Sequence, residues 1–234
     1  MHKLLRCDNI SKYFSMDQPL VNISFTAFSG EILGIIGPNG AGKTTLMECI
    51  SGLLPFQKGQ LFWENQPLPP AKAKEHIFYL PDAVHPYGDQ SVGGVTMFFR
   101  HIFGASKSRW QQLIEQFELT DVLAKRVNSL SKGFHRRLLL FIGLLSPQPL
   151  LMLDEPFDGF DLRQTLGIME LLKESLNNRT LLLSIHQLSE AEKICDRFLL
   201  LNGGVVATTG SLADLQKETG LENGNLEEVF LAIV

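Results

Sequence analysis

Apolar and polar residues follow two different periods along this chain, and each period predicts a type of element. Residues 21–28 alternate between apolar and polar, which is the pattern of a half-buried strand. Residues 32–36, 150–153 and 180–185 are almost continuously apolar, which is typical of strands buried on both faces of a parallel sheet. Apolar residues three and four positions apart predict helices. The clearest such set is Trp110, Leu113, Ile114 and Phe117.

The same patterns predict the other elements. Further strands are expected at Leu4–Cys7, Gln60–Glu64, His76–Leu80, Phe198–Leu201 and Val205–Ala207, the last two joined by a hairpin turn at Asn202-Gly203-Gly204. Helices are expected at 43 to about 53, 138–145 and Leu162–Leu176, and a capping box at Ser189-x-x-Glu192 is expected to open another. A last helix carries an apolar stripe that either packs on its own domain or contacts a second subunit. The stripe comprises Leu226, Val229, Phe230 and Ile233.

Composition is that of a globular protein with a sizeable core. The chain has 234 residues, of which 44% are hydrophobic and 20% charged, so it fits one large domain or a core with one insertion. Between about Ala83 and Asn128, turn-forming residues lead into apolar helical patterns. We interpret this stretch as part of a mostly helical insertion.

Charge and cysteine content exclude several classes of protein. The net charge of −4 gives no electrostatic footprint for nucleic acid, so no nucleic-acid partner is expected. The three widely spaced cysteines lack metal-ligand spacing and are expected to be reduced thiols of a cytosolic protein. We see neither a secretory signal nor an apolar run long enough to span a membrane, and we therefore expect any membrane role to come through a partner.

One segment has the spacing of a phosphate-binding loop. It is Gly37-Pro38-Asn39-Gly40-Ala41-Gly42-Lys43-Thr44-Thr45, which fits G-x-x-x-x-G-K-[ST] between a predicted strand and a predicted helix. The glycines allow a tight turn whose N–H groups converge on phosphate oxygens, and the helix adds its free N-terminal N–H groups. Lys43 supplies a cation for the β- and γ-phosphates, and the hydroxyl of Thr44 is suited to bind Mg²⁺.

Two carboxylates follow a buried strand, at the edge where α/β sheets bind ligands. Beside a phosphate loop, Asp154 is suited to hold Mg²⁺ and Glu155 to orient or deprotonate an attacking water. His186 follows another buried strand. It is either a structural histidine or a contact to the γ-phosphate.

A second candidate anion site precedes the apolar segment at 138–145, in Leu130-Ser131-Lys132-Gly133. Ser131 is suited to be the N-cap of a helix, either with no further role or as part of an anion site with the backbone N–H of Gly133. One chain has no obvious need of two such sites. A dimer does, if each chain completes the nucleotide site of the other.

Four motifs of this chain resemble those of ATP-binding cassette (ABC) ATPase subunits, and the resemblance covers nearly the whole chain. In order, they are the phosphate loop, Leu130-Ser131-Lys132-Gly133, Leu153-Asp154-Glu155-Pro156 and His186. The resemblance implies ATP hydrolysis coupled to transport, with ATP and Mg²⁺ as cofactors. We expect a single α/β domain with a P-loop NTPase core, an N-terminal antiparallel β subdomain and an inserted α-helical subdomain. The core is expected at 1–82 and 146–234, and the insertion at 83–145.

Within the family, the chain resembles the exporter-type branch. The resemblance rests on the Leu-Ser-Lys-Gly variant, on the acid after Tyr79-Leu80-Pro81 and on the ending at 226–231. It implies that ATP closes two subunits head to tail and that hydrolysis reopens them. The implied partners are a second ABC ATPase subunit, identical or different, and an integral membrane permease received at 83–103. The chain would then lie peripherally on the inner face of the cell membrane.

The resemblance also implies roles for residues at the nucleotide. Tyr13 would stack on adenine. We expect Tyr13 and Phe14 to lie in a loop, and the position of Tyr13 alone fits an anchor of that loop equally well. Residues 37–45 would bind the phosphates and Mg²⁺. Asp154 would assist the metal and Glu155 would activate water, while His186 would sense the γ-phosphate.

Four further positions have implied roles. Ser131 and Gly133 would close on ATP bound to the opposite subunit, and Asp161 would lie in the loop that links the two sites of the dimer. Asp82 stands where most members have Gln and the exporter-type branch tolerates an acid. It is a candidate contact to Mg²⁺ or water, with a side chain one methylene shorter than Glu.

Two other functions remain open. A P-loop kinase would need an acceptor pocket and a lid, and would have no need of the cap at Ser131. A non-transport ABC ATPase acting on ribosomes or DNA, or a regulatory nucleotide-binding module, is the other alternative. Such proteins usually carry two cassettes or long coiled-coil arms, and the sequence shows neither.

Overall fold

The computed structural model describes residues 2–15, 17–82, 84, 87–175 and 179–234. Two compact units are present. The first, here called the sheet unit, comprises the described residues within 1–79, 149–155 and 176–234. The second, the helical unit, comprises those within 80–148 and 156–175. The division of the chain into a core and an insertion at 83–145 stays a prediction, and Ala83 lies outside the described residues.

The elements follow one another along the chain with short connections. The strands are β1 (Lys3–Phe14), β2 (Asp17–Phe28), β3 (Ile32–Ile36), β4 (Lys58–Trp63), β5 (Gln66–Pro67), β6 (Ile77–Leu80), β7 (Leu150–Asp154), β8 (Thr180–Ser184), β9 (Arg197–Asn202) and β10 (Val205–Gly210). The helices are α1 (Lys43–Ser51), α2 (Ala73–His76), α3 (Val92–Phe103), α4 (Lys107–Gln116), α5 (Lys132–Leu145), α6 (Leu162–Glu174), α7 (Leu188–Ile194), α8 (Leu212–Thr219) and α9 (Leu226–Ile233). Leu176, the predicted end of α6, lies outside the described residues.

A mixed sheet has the strand order β10-β9-β3-β8-β7-β6. Strands β9, β3, β8 and β7 are parallel neighbours, as the apolar runs predicted, and every residue of β3, β7 and β8 is buried. The predicted hairpin between β9 and β10 is confirmed, with positive φ angles of 53° and 79° at Gly203 and Gly204. Because β3, β7 and β8 run in one direction, the segments that follow them leave from the same edge of the sheet.

The antiparallel sheet has the order β2-β1-β4-β5, and its first strand is longer than predicted. Tyr13 and Phe14 lie at the end of β1, so the prediction of a loop there was wrong. The strand continues through its polar residues because bulges absorb the mismatch with β2. One of them accompanies a positive φ of 53° at Asn9, whose N–H donates to the hydroxyl of Ser24.

The capping box predicted at Ser189 is also wrong. Helix α7 begins at Leu188 after Gln187, which makes no side-chain capping bond, so Ser189 already lies in the first turn. Glu192 has another partner, because its carboxylate accepts a hydrogen bond of 2.8 Å from the N–H of Leu226 at the start of α9. Helix α9 packs within the sheet unit, with Leu226 and Val229 fully buried.

One core connects both sheets to α1 within the sheet unit. Side chains from the antiparallel sheet, from α1 and from the mixed sheet form a single buried cluster, which includes Leu5, Ile23, Leu46, Ile50, Met152 and Leu182. Since α1 is held on both sides, the loop that precedes it is held in place as well.

The helical unit is built on α5. Helices α3 and α4 pack against α5, and Phe117 meets Phe141 edge-on at 6.4 Å between ring centroids. The helical character predicted for this part of the chain is therefore confirmed. Within the described ranges, no helix is both long and apolar enough to cross a membrane.

A buried ion pair ties the antiparallel sheet to the mixed sheet. Both carboxylate oxygens of Glu31 lie 3.1 Å from Nη1 of Arg197, and the side chains are only 6% and 19% exposed. Glu31 also accepts a bond from the N–H of Phe28, while the guanidinium of Arg197 lies 4.8 Å from the centre of the Phe28 ring. Burial raises the pKa of Glu31, and Arg197 opposes that rise. The carboxylate therefore depends on its partners to remain charged.

We expect Arg197→Ala to lower the free energy of unfolding by about 3 kcal/mol, because it leaves a carboxylate buried without its cation. Denaturant unfolding measures this change. His2→Ala is the control, since it removes only the exposed pair between His2 and Glu64 and should cost less than about 1 kcal/mol. An equally small cost for Arg197→Ala would contradict the role given to the buried pair.

Candidate nucleotide-binding site

Residues 37–42 connect β3 to α1 as a tight loop, and Lys43 to Thr45 begin the helix. Glycine is required at two positions of the loop. A Cβ on Gly37 would lie 2.2 Å from the carbonyl oxygen of Leu201, and one on Gly42 would lie 2.4 Å from that of Pro19, where φ is also +97°. Gly42 is the N-cap of α1 and has no side chain to cap the first N–H groups of the helix. These N–H groups are the donors that phosphate oxygens need.

Lys43, the first residue of α1, is 6% exposed and folds back over the loop. Its Nζ donates to the carbonyl oxygens of Gly37 at 2.8 Å and Pro38 at 3.3 Å. Burial lowers the pKa of Lys43, and the nearby charges of Glu155 and Asp154 act in the opposite direction. The ammonium of Lys43 is thus held against the loop, and it can make charge-assisted hydrogen bonds, which are stronger than neutral ones.

Asp154 ends β7 with a carboxylate that is almost completely buried. Its Oδ2 accepts from the hydroxyl of Thr44 at 2.9 Å and lies 3.5 Å from the hydroxyl of Tyr79. Its Oδ1 accepts from the hydroxyl of Ser184. The second residue of α1 and the end of β7 are therefore joined directly.

The side-chain oxygens of Thr44 and Asp154 are the type of ligand that Mg²⁺ prefers. The hydroxyl of Thr44 and the carboxylate of Asp154 are hard oxygen ligands in contact with each other. Mg²⁺ is commonly bound through one or two carboxylates and takes its remaining ligands from substrate phosphates and water. Among the described residues, no group of three or more His, Cys, Asp and Glu side chains is arranged to hold a metal ion.

Glu155 makes the turn after β7 in a left-handed conformation, with φ at 50°. Its N–H lies within hydrogen-bonding distance of both the carbonyl oxygen and the hydroxyl of Ser184, at 3.2 and 3.1 Å. The side chain is 17% exposed, and its Oε1 lies 3.0 Å from Nε2 of His186, which is half exposed. The structure therefore brings the predicted carboxylates and histidine together, next to the phosphate loop.

Sequence reasoning missed Ser184. We predicted it only as part of an apolar strand, yet it is fully buried and its hydroxyl touches both Asp154 and Glu155. A signal was available. Ser184 is the polar residue that ends a run of three leucines, one position before the carboxyl end of the predicted strand.

Tyr13 lies in the sheet unit at the end of β1 and is half-buried. Its N–H donates to the side chain of Gln57, and its ring lies 6.0 Å from Nζ of Lys58. Stacking of this ring on adenine stays a prediction.

The remaining predicted residues lie in the helical unit. The hydroxyl of Ser131 accepts from the N–H of Phe134 at 3.4 Å, which confirms the predicted N-cap of α5. A Cβ on Gly133 would lie 3.5 Å from the carbonyl oxygen of Gly159, which indicates close passage of the two backbones. Asp161 is the N-cap of α6, in a capping box with Gln164.

Asp82 already has a strong partner. Its Oδ1 lies 2.5 Å from Nη2 of Arg136, whose side chain is 5% exposed. The sequence did not suggest this ion pair, because the two residues are 54 positions apart. Contact between Asp82 and a metal or water stays a prediction.

The order of these elements is that of one known family. The model of the ABC transporter family matches residues 20–158, more than half of the chain. This chain belongs to the ABC transporter family. It is an ATP-binding subunit of that family, whose cassettes are ATPases coupled to transport and act with membrane components.

Similar ABC proteins cover almost the whole chain. An uncharacterized ABC transporter ATP-binding protein of Methanocaldococcus jannaschii, MJ1023, is 30% identical over 97% of this chain and 86% of its own length. The linearmycin resistance ATP-binding protein LnrL of Bacillus subtilis is 29% identical over 99% of this chain and 78% of its own length. The solved structure of an ATP-binding subunit of an ABC transporter matches with a TM-score of 0.89 at 27% identity, covering 98% of this chain and 99% of the other. The predicted α/β P-loop fold is confirmed.

We expect Lys43→Ala to raise the dissociation constant for ATP at least about tenfold, because charge-assisted hydrogen bonds typically contribute about 1.5–3 kcal/mol. Equilibrium binding of a fluorescent ATP analogue, with Mg²⁺ present, measures the effect. Lys72→Ala, at an exposed position, is the control and should bind as the wild type does. Unchanged affinity in Lys43→Ala would contradict the assignment of this loop.

Proposed function

We propose that this chain energises an exporter-type ABC transporter by ATP-driven closure of two cassettes. The observation that carries the hydrolytic part of the proposal is a pair of contacts beside the phosphate loop, Thr44 with Asp154 and Glu155 with His186. These contacts combine a metal ligand, a base and a polar contact beside the position of the γ-phosphate. A protein that only bound nucleotide would need the loop but not the base.

Nucleotide binding follows from the loop and its surroundings. The backbone N–H groups of residues 39–45 and the ammonium of Lys43 would bind the phosphates of ATP. Tyr13 would stack on adenine. Thr44 and Asp154 would hold Mg²⁺, with Asp82 as a further candidate, and a bound Mg²⁺ would neutralise charge that develops on the phosphates. The Nζ of Lys43 would leave its contacts with the loop carbonyls to bind phosphate oxygens.

Hydrolysis requires a base beside the attacking water. Oε1 of Glu155 would accept a proton while the water oxygen forms a bond to the γ-phosphorus, and the bond to the bridging oxygen breaks as its electron pair leaves with ADP. His186 contacts the same Oε1 at 3.0 Å and would orient the carboxylate while contacting the γ-phosphate. The partial exposure of Glu155 lets water reach it.

Closure of a dimer would complete the site. Ser131 is the N-cap of the fourteen-residue helix α5 and Gly133 lies in its first turn, where backbone N–H groups and an exposed serine would form an anion site. We propose that they bind the γ-phosphate of ATP held by a second ABC ATPase subunit, identical or different. Asp161 would link the two sites from the start of α6.

The membrane partner would be an integral permease received at 83–103, of which residues 83, 85 and 86 lie outside the described residues. In this stretch α3 exposes apolar side chains, and Tyr87 packs edge-on against Phe98 with 5.7 Å between ring centroids. The exposed set comprises Tyr87, Met97, Phe98 and Ile102. A surface of this kind is unusual unless a partner covers it. The chain would then lie on the inner face of the cell membrane.

Outward transport is supported by the name of one relative, since LnrL of Bacillus subtilis is described as a resistance protein. Resistance to a compound commonly results from its removal from the cell. The exporter assignment therefore rests on this relative and on the sequence resemblance stated above.

We expect Glu155→Gln to bind ATP as the wild type does, but to hydrolyse it at least about 100-fold more slowly and to accumulate as a dimer. Release of free phosphate from ATP and Mg²⁺ without any acceptor measures hydrolysis, and size-exclusion chromatography with ATP detects the dimer. Glu170→Gln, an exposed change on α6, is the control. Normal turnover in Glu155→Gln would remove this residue from its role, and phosphate transfer that requires an acceptor would favour a kinase.

We also expect the double substitution Phe98→Asp and Ile102→Asp to abolish co-purification of a multi-span membrane protein while leaving phosphate release by the isolated subunit within about twofold of the wild type. Both side chains are exposed, so charge there is tolerated in the monomer but costly in an apolar interface. Recovery of the wild-type chain from the cytosol with nucleic acid and no membrane protein would contradict the transport role.

A further inference from the structure

Ser184 connects the two carboxylates through one hydroxyl group. The hydroxyl donates to Oδ1 of Asp154 and accepts from the N–H of Glu155 at 3.1 Å. It also lies 3.4 Å from Oε1 of Glu155, the oxygen that contacts the histidine. The residue is fully buried and ends β8, the strand next to β7. Its position is therefore set by the sheet and not by a mobile loop.

The same arrangement occurs twice in the antiparallel sheet. Asn9 and Asn22 both have positive φ, and their N–H groups donate to the hydroxyls of Ser24 at 2.8 Å and Ser11 at 2.9 Å. In both pairs the serine hydroxyl also reaches the side-chain oxygen of the same asparagine. Asparagine suits this conformation, whereas Glu155 does not, because positive φ is uncommon for residues other than Gly, Asn and Asp. The serine beside Glu155 therefore stabilises a conformation that the glutamate would otherwise avoid.

The conformation has a consequence for the direction of the side chain. With positive φ, the chain turns sharply after β7, and the carboxylate of Glu155 points toward His186 while that of Asp154 points toward Thr44. The hydroxyl of Ser184 contacts both residues, the proposed metal ligand through its carboxylate and the proposed base through its backbone N–H. Catalysis is sensitive to the positions of such groups, since a misplacement of about 1 Å can reduce the rate by about 100-fold.

We infer that Ser184 is a positioning residue for ATP hydrolysis. Its hydroxyl holds the carboxylate of Asp154 and the backbone of Glu155 in fixed positions relative to each other. The inference rests on the proposed roles of those two residues. It predicts an effect on the chemical step and not on nucleotide affinity, because the loop that binds the phosphates has its own support in α1 and β3. It also predicts that the hydroxyl, and not merely the volume of the side chain, is what matters.

Substitution of Ser184 tests the inference. We expect Ser184→Ala to lower kcat for phosphate release at least about tenfold, with the dissociation constant for ATP within about threefold of the wild type. Ser184→Thr, which keeps the hydroxyl, should recover most of the lost kcat. All variants are compared at a temperature at which circular dichroism shows each to be folded.

Ser11→Ala is the matched control, because it removes an equally buried hydroxyl from the same kind of contact with a positive-φ residue. It should reduce the melting temperature but leave kcat within about twofold. A loss of kcat in Ser11→Ala equal to that in Ser184→Ala would show a general effect of stability and would overturn the inference.

Three further results would count against the inference. These are wild-type kcat in Ser184→Ala, loss of ATP affinity in parallel with kcat, and no recovery at all in Ser184→Thr. Glu155→Gln, measured in the same assay, separates this inference from the function it rests on. If Glu155→Gln is inactive and Ser184→Ala is normal, only the role of Ser184 fails, whereas normal turnover in Glu155→Gln removes the proposed function itself.

Discussion

Asp154 places a carboxylate at the end of a strand in which every residue is buried, and a charge in such a position is costly unless it has partners. Its two oxygens have them, the hydroxyl of Thr44 on one side and that of Ser184 on the other. These partners come from α1 and from β8, which are far apart in the sequence. The buried charge of Asp154 therefore requires α1, β7 and β8 to come together.

Much of this arrangement could be predicted because its signals are local. The glycine spacing from Gly37 to Thr45 reflects contacts that leave no room for a Cβ, and short apolar runs of four to six residues indicate a parallel sheet. The carboxyl ends of those runs place Asp154, Glu155 and His186 at one edge. The parallel arrangement of these strands and the edge at which the candidate site lies follow from these short patterns.

The features that could not be predicted depend on partners distant in sequence. The polar second half of β1 is a strand because it pairs with β2, and the N–H of Asn9 at the bulge donates to a serine hydroxyl. Asp82 likewise pairs with Arg136, and Glu192 with the start of α9. The residue types alone do not indicate which partner each carboxylate has. Ser184 is an intermediate case, since its place after three leucines marks it in the sequence, but its contacts with Asp154 and Glu155 depend on the pairing of β7 with β8.

The bond between Glu192 and the N–H of Leu226 gives the end of the chain a connection to the site. Glu192 belongs to α7, which begins two residues after His186, so a rotation of this short helix would loosen or tighten the first turn of α9. The first turn of α9 is therefore held by a side chain of the helix that follows His186.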